Sequence, residues 1–316
     1  MDTPKTLQEA IVYFANPDNC IAYLSSKRWR NGVVVCPHCG ARDAKYMPSR
    51  RVWQCKIRHP KSQFSIKVGT IYEDSPIGLD KWLAATWMIN NCKNGVSSYE
   101  IARAIGVTQK SAWFMLHRIR LAMQDSSAEK IGGNGKAPVE IDETYIGGKP
   151  LNMHKRRRIG KKWGGKAIVM GMLERGSQVR AAVIPAATRP ALHGNILKNV
   201  AAGAQIITDD LASSYNGLDR DEYAHEVINH TVAYVRGQIH TNGIENFWSL
   251  LKRGLHGTYI NVEPEHLGRY VDEQVFRYNN RKNIGDGGRL DKCVSQGIGK
   301  RLTYKELTGK TKPEAF

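Results

Sequence analysis

Acidic side chains recur in three well-separated stretches of this chain, VEIDETYIGGK, AQIITDDLASSY and HTNGIENFWSLLKRG, in settings that suit metal-assisted phosphoryl transfer. Asp142 and Asp209 close apolar, β-branched runs at 139–141 and 206–208, while Glu245 lies on a segment of helical periodicity. A phosphodiester attacked in line builds charge on both the entering and the leaving oxygen, and two hard cations close together stabilise both. Magnesium, or manganese in its place, takes oxygen ligands and keeps several waters, so a few carboxylates mounted on different elements suffice to hold it. Strand ends make good mounts, and a helix laid alongside adds a third carboxylate from another direction.

The helix that must carry Glu245 is legible. Ile244, Phe247, Trp248, Leu251 and Leu255 recur at i, i+3, i+4, i+7 and i+11, an apolar stripe that predicts an amphipathic helix. Glu245 sits beside the stripe, and Lys252, two turns on, falls on nearly the same side, where a cation would meet a nucleic-acid phosphate.

Cysteines mark a second kind of chemistry. CPHCG at 36–40 has the form of a knuckle, with two thiolates two residues apart around one tetrahedral ion and a glycine that permits the turn. A second knuckle is expected near WQCKIRHPKSQFS, where Cys55 is followed by His59 rather than by another cysteine. Cys36, Cys39, Cys55 and His59 therefore form a candidate Cys3His zinc site, with His38 the alternative fourth ligand. Cys20, Cys92 and Cys293 lie outside the pattern and read as ordinary thiols.

Beyond the knuckles the pattern turns helical. Leu79 to Asn91 reads as one helix. Ser97 and Glu100 have the spacing of a capping box before a second, and a third runs from about Gln109 to Met123 after the turn Gly106-Val107-Thr108. Two short helices joined by a glycine-containing turn predict a helix-turn-helix. Gln109, Lys110 and Ser111 would then face base edges or phosphates, with His117, Arg118 and Arg120 further along.

Composition gives these motifs a common partner. Against 29 Asp and Glu stand 47 Lys and Arg, a formal charge of +18 over 316 residues, and basic residues cluster in KRRRIGKKWGGK. Such a balance points to a polyanion. A hydrophobic fraction of 41% excludes general disorder, and no stretch is apolar for long enough to cross a bilayer, which predicts an intracellular protein. DSSAEKIGGNGKAP, residues 125–138, lacks a hydrophobic period and reads as a linker. After it come three antiparallel strands, a helix, a strand ending at the acidic pair, the short strand HEVINH and the Glu245 helix, an α/β order compatible with a ribonuclease-H-like domain.

CPHCG, QFSIKVGTIYEDSPIGLDKW, SAWFMLHRIR, DETYIGGK, ITDD, HTNGIENFWSLLKRG, RYVDEQVFRYNNRK and KRLTYKEL, taken together, resemble the bacterial insertion-sequence DDE transposases of the ISXO-like group over nearly the whole chain. The resemblance implies a multidomain protein. An N-terminal helical segment (1–30) precedes a zinc ribbon (31–75), a helix-turn-helix (76–124) and the linker. A ribonuclease-H-like catalytic domain with a mixed sheet flanked by helices (139–285) and a C-terminal tail (286–316) follow. It also implies Asp142, Asp209 and Glu245 as the catalytic carboxylates, a reading supported by the 35 residues between Asp209 and Glu245. Asp210 adjoins Asp209, and since neighbouring strand residues point to opposite faces, either could be the ligand. Asn242, one turn before Glu245, could replace or assist it, while Glu140 and Glu143 read as surface or supporting carboxylates. The second knuckle of the family usually carries two cysteines, a pattern from which Cys55 and His59 depart.

The implied activity is hydrolysis at the ends of a mobile element followed by attack of the freed 3′ hydroxyl on target DNA. Magnesium or manganese would be the catalytic cofactor, zinc a structural one, and the enzyme would act on the nucleoid in the cytoplasm as a homodimer or larger assembly on DNA. Lys149, Lys155, Arg156, Arg157, Arg158, Lys161, Lys162, Lys252 and Arg253 would hold phosphates. Trp248 and Tyr145 are candidates to stack on bases, with a core role open for Trp248. Two alternatives share parts of this layout: a catalytically silent DNA-binding regulator and a structure-specific nuclease on the same core.

Overall fold

Helix caps and strand patterning set the elements. In the computed structural model, which describes residues 4–42, 44–124, 129–133, 135–147, 166–209, 212–218, 223–228, 240–282 and 284–309, Thr6 accepts from the Glu9 amide to open α1 (Leu7–Phe14). Asn16 does the same for α2 (Pro17–Arg28), helped by Pro17 in its first turn. Three short antiparallel strands follow in the order β1 (Lys45–Met47), β2 (Val52–Gln54) and β3 (Gln63–Phe64). They carry Trp53, which stacks on Phe64 and meets Trp29 edge-on. After α3 (Leu79–Asn91), the expected capping box of Ser97 and Glu100 opens α4 (Ser98–Ile105). Gly106 turns the chain at φ +62° and Thr108 caps α5 (Gln109–Met123).

The chain divides into two compact units, Met1–Asp125 with Asn280–Phe316, and Ser126–Asn279. The second is built on a five-stranded sheet: β4 (Val139–Ile146), β5 (Ala167–Glu174), β6 (Val179–Ile184), β7 (Gln205–Asp209) and β8 (Ala224–Ile228), in the order β6-β5-β4-β7-β8. Strands β4, β5 and β6 are antiparallel neighbours, whereas β7 lies parallel to both β4 and β8. Helix α6 (Arg189–Asn199) leads into β7, and the single turn α7 (Ala212–Tyr215) lies between β7 and β8. Then come α8 (Asn242–Gly254) and α9 (Leu267–Asn279).

Alternation along the strands sorts the core into two halves. Val139, Ile141, Met170, Met172 and Ile206 pack with Leu192 and Ile196 of α6. On the other side Val169, Leu173 and Val179 pack with Ile244, Phe247, Trp248 and Leu251 of α8 and with Val271 of α9. All five residues of the expected stripe of α8, Leu255 just beyond it included, are buried, each stabilising the fold by about 1.5–3 kcal/mol through its removal from water.

Two segments depart from the sequence reading. Ile131, inside the stretch read as linker, is fully buried in the α6 side of the core and bridges to Val200; the surrounding glycines had masked a single apolar anchor. Residues 286–316, read as a tail, include α10 (Asp286–Gln296) and α11 (Tyr304–Leu307). Leu290, Cys293 and Val294 are buried, Asp291 accepts from the Tyr23 hydroxyl at 2.6 Å, and Arg289 donates to the Asn91 side chain at 2.7 Å. This segment completes the core of the first unit, and it escaped notice because only three apolar positions in α10 carry the contact.

Candidate metal centres

Parallel pairing of β4 with β7 sets Ile141 opposite Thr208, so Asp142 and Asp209 follow at neighbouring positions on adjacent strands. Asp142 leaves β4 on the side covered by α8. Its carboxylate accepts from the Trp248 indole N–H at 2.8 Å and from the Glu143 amide at 2.7 Å. The indole reaches it because the residue paired with Asp142 on β5 is Gly171. A Cβ there would stand 2.6 Å from Trp248 Cη2 and 2.8 Å from Ile244 Cδ1. Gly171 was not singled out in the sequence, although a lone glycine in the apolar strand AIVMGMLE is the signal of a close approach. Trp248, considered for stacking on DNA bases, is instead buried and committed to Asp142.

Electrostatics ties the three acids together. Burial pushes the Asp142 carboxyl up to about 6, and the charge of Asp209 and then of Glu245 push in the same direction, against the stabilising bonds from Trp248 and Glu143. Glu245 is an exposed residue of α8 that accepts from the Thr241 hydroxyl at 3.1 Å, and Asn242 is the exposed first residue of the same helix. Glu143 faces the other way, accepting from the Tyr215 hydroxyl; burial lifts its carboxyl to about 7. Asp210 lies outside the described residues. The trio does not contract into a cage for one ion: among the described residues, the set of His, Cys, Asp and Glu ligand atoms lying within 4.8 Å of one another is Cys36, Cys39, Cys55 and His59. Oxygen-only donors whose charges already oppose one another fit hard divalent cations, and a pair of ions does not require all three acids within reach of either one.

The Cys3His cluster is local. Cys36 donates its amide to Ala41 O at 2.8 Å, and Gly40, at φ +73°, returns to Cys36 O at 3.0 Å, which folds the first knuckle. Cys55 and His59 flank the second turn, closed by Cys55 N to Ser62 O at 2.7 Å and Ser62 N to His59 O at 3.1 Å. Cys39 Sγ lies 3.6 Å from Cys55 Sγ, and Cys36 Sγ lies 3.5 Å from His59 Nε2. Ligands bound tetrahedrally to zinc are separated by about 3.5–3.8 Å on the usual bond lengths, so these spacings fit the ion. Burial raises the Cys36 thiol, but the His38 and Cys39 amides together with the Cys39 and Cys55 thiols outweigh it and hold the group below its ordinary value, favouring thiolate. His38 contributes its backbone rather than a ligand atom. Cys20 and Cys293 are buried, and burial pushes both thiols up to about 12, which leaves them inert.

Basic candidates divide by burial. Lys110, Lys252 and Arg253 are exposed, Lys110 lying 5.0 Å over the Tyr304 ring. Gln109 donates to the Ser98 hydroxyl at 2.9 Å, and the Ser111 hydroxyl accepts from Thr108 at 2.9 Å, so both serve the α4–α5 turn. Arg118, expected on the DNA-facing side, is corrected: it is 3% exposed, donates to Leu302 O at 3.0 Å and to Glu73 O, and lies over the Trp82 and Phe114 rings. Its long stem and planar head suit an internal bond to two carbonyls. His117 and Arg120 are buried as well. Lys149, Lys155, Arg156, Arg157, Arg158, Lys161 and Lys162 lie outside the described residues.

Known proteins agree with this division of the chain. The ISXO2-like transposase domain matches residues 133–279, ending where the second unit ends, and the transposase zinc-ribbon domain matches residues 15–57. The chain carries an ISXO2-like transposase domain behind a transposase zinc ribbon. It is 29% identical over 274 residues to an uncharacterized protein in transposable element ISH50 of Halobacterium salinarum, covering 80% of this chain and 90% of the relative. It is also 36% identical over 75 residues to an uncharacterized transposase-like protein of Haemophilus influenzae, covering 24% of this chain and 60% of that one. The ribbon match stops two residues short of His59, so the fourth ligand atom is known from the geometry of the cluster. No helix among the described residues is long and apolar enough to cross a membrane.

Proposed function

We propose that this transposase binds the ends of an insertion sequence, hydrolyses the phosphodiester there and joins the freed 3′ hydroxyl to target DNA. The observation that carries the reading is electrostatic: acids from β4, β7 and α8, more than 100 residues apart from first to last, act on one another's charge at Asp142. The sheet order, with three antiparallel and two parallel strands, supports a ribonuclease-H-like core. In this reading Asp142, Asp209 and Glu245 would hold magnesium or manganese, which would supply Lewis-acid charge to the phosphodiester and to the attacking water. Trp248 keeps Asp142 turned toward the site, and Lys252 and Arg253, at the far end of α8, hold backbone phosphates on the approach. Asp210, Asn242, Lys149 and the 155–158 basic run remain assigned to the roles that the resemblance implies.

End recognition belongs to the first unit. The pair α4 and α5, joined by the left-handed Gly106, supports a helix-turn-helix with Lys110, Gln109 and Ser111 at the start of the reading helix, and zinc on the Cys3His cluster stiffens the ribbon beside it. Pairing two ends calls for at least a homodimer on DNA, acting at the nucleoid. Incubating the protein with magnesium and DNA bearing the element's ends should give joined products that Asp142→Ala abolishes. Cuts without joining would indicate a nuclease, and end binding that Asp142→Ala leaves intact, with neither cuts nor joins from the wild type, a silent regulator.

A further inference from the structure

Glu140 stands two residues before Asp142 on β4, so both side chains leave the strand toward α8. It is completely buried, where a carboxylate persists only if its charge is met. Arg175 Nε lies 2.6 Å from Oε1, the Ile244 amide donates to Oε2 at 2.9 Å, and His240 Nδ1 is 3.5 Å from Oε1. Arg175 also donates through Nη2 to the His240 carbonyl at 2.6 Å. The chain entering α8 and the first-turn amide just before Glu245 are thus tied to β4 through one ion pair. Gly243 permits the approach, since a Cβ there would lie 2.7 Å from Glu140 Oε2 and 3.1 Å from Leu173 Cδ2. A negative charge at a helix N-terminus is also matched to the helix dipole.

We infer that Glu140 is a positioning residue: by holding the Ile244 amide and, through Arg175, the His240 carbonyl, it pins the N-terminus of α8 onto β4 and sets the separation of Glu245 from Asp142. Both of its oxygens are taken by protein donors, so it does not serve as a cation ligand. The bond from Trp248 to Asp142, one turn further along α8, is the second pin. Two pins on one helix fix its rotation and its rise along the strand together. A buried ion pair is seldom more stabilising than an apolar pair of the same shape, and here the charge answers a helix amide that an apolar side chain would leave without an acceptor. The inference rests on the metal-site reading above.

The test compares full-length wild type with Glu140→Gln, with the double variant Glu140→Met and Arg175→Met, and with Asp142→Asn. Thermal unfolding, hydrogen exchange across 240–248 without metal, manganese affinity by electron paramagnetic resonance and magnesium-dependent joining of DNA are read for each. Glu140→Gln should stay folded, exchange faster across 240–248, and lose about 10- to 100-fold in manganese affinity and joining rate. The methionine pair should regain the stability lost with the ion pair yet remain as poor in manganese binding and joining, because it leaves the Ile244 amide without its acceptor. A merely structural pair would recover all of them. A folded Glu140→Gln with wild-type exchange, affinity and rate, or a methionine pair with wild-type manganese binding, overturns the inference while leaving the metal-site reading in place. If wild type neither joins DNA nor binds manganese in a manner that Asp142→Asn abolishes, the metal-site reading itself fails and the inference falls with it.

Discussion

The Cys3His cluster and the carboxylate trio differ in how far the protein alone closes them. Four soft ligands from two turns within 24 residues of one another already lie within 4.8 Å, with amide bonds shaping each knuckle. The three acids come from two strands and a helix and form no such cluster; burial first, and then the charges of Asp209 and Glu245, lift Asp142 to about 6. A thiolate cage is complete without a substrate, as a structural site should be. On the proposed reading, an open group of carboxylates keeps room for water and for a phosphodiester, and arriving cations would relieve its mutual repulsion. On that reading, closure separates a site that holds a fold from one that awaits a reaction.

Breaking the open centre should have the largest effect. Asp142→Ala removes the acid that feels both of the others, and joining should fall by roughly 10³-fold or more while end binding in a gel-shift assay is retained. Breaking the closed centre should give the converse. Cys36→Ser or a strong chelator should melt the ribbon and cut end binding by about 10- to 100-fold, with circular dichroism reporting lost structure, while Ser126–Asn279 keeps its cooperative unfolding. Gly171→Ala sharpens the comparison by leaving every acid in place. Its methyl group would displace Trp248 from Asp142, and joining should drop about 10-fold with little change in end binding.

Smaller effects test the basic residues. Arg118→Ala leaves the Leu302 and Glu73 carbonyls without their donor and should cost about 2–4 kcal/mol in denaturant unfolding, with end affinity per folded molecule unchanged. Lys252→Ala should weaken DNA binding only severalfold and lower the slope of log affinity against log salt by about 0.9. A larger loss of specificity for the ends would move Lys252 from phosphate holding to base reading.

Periodicity and capping were legible because they are local. Helix α8 buries the stripe that its i, i+3, i+4 spacing announces, and Ser97 with Glu100 opens α4 as their spacing requires. Arg118 was misread for the same reason, since a basic residue on a helix beside exposed Lys110 carries no mark of burial until Leu302 and Glu73 arrive from elsewhere in the unit. Ile131 and the α10 contacts escaped because one or three apolar residues form no period. Glu140 and Glu143 looked alike in VEIDETY, yet strand alternation sends Glu140 under α8 to meet Arg175 and Glu143 toward Tyr215.

By itself the sequence determined which residues are acids, thiols and cations, where helices start, and which stripe each helix buries, because those depend on side-chain chemistry and on spacings within a few turns. Tertiary structure alone decided which acid meets which partner: that Gly171 admits the Trp248 ring to Asp142, that Glu140 ends on the Ile244 amide, and that Arg118 turns inward. Those contacts join positions from 77 to 184 residues apart, and the pairing of strands and the docking of helices choose them through the burial of whole faces, which no local pattern encodes.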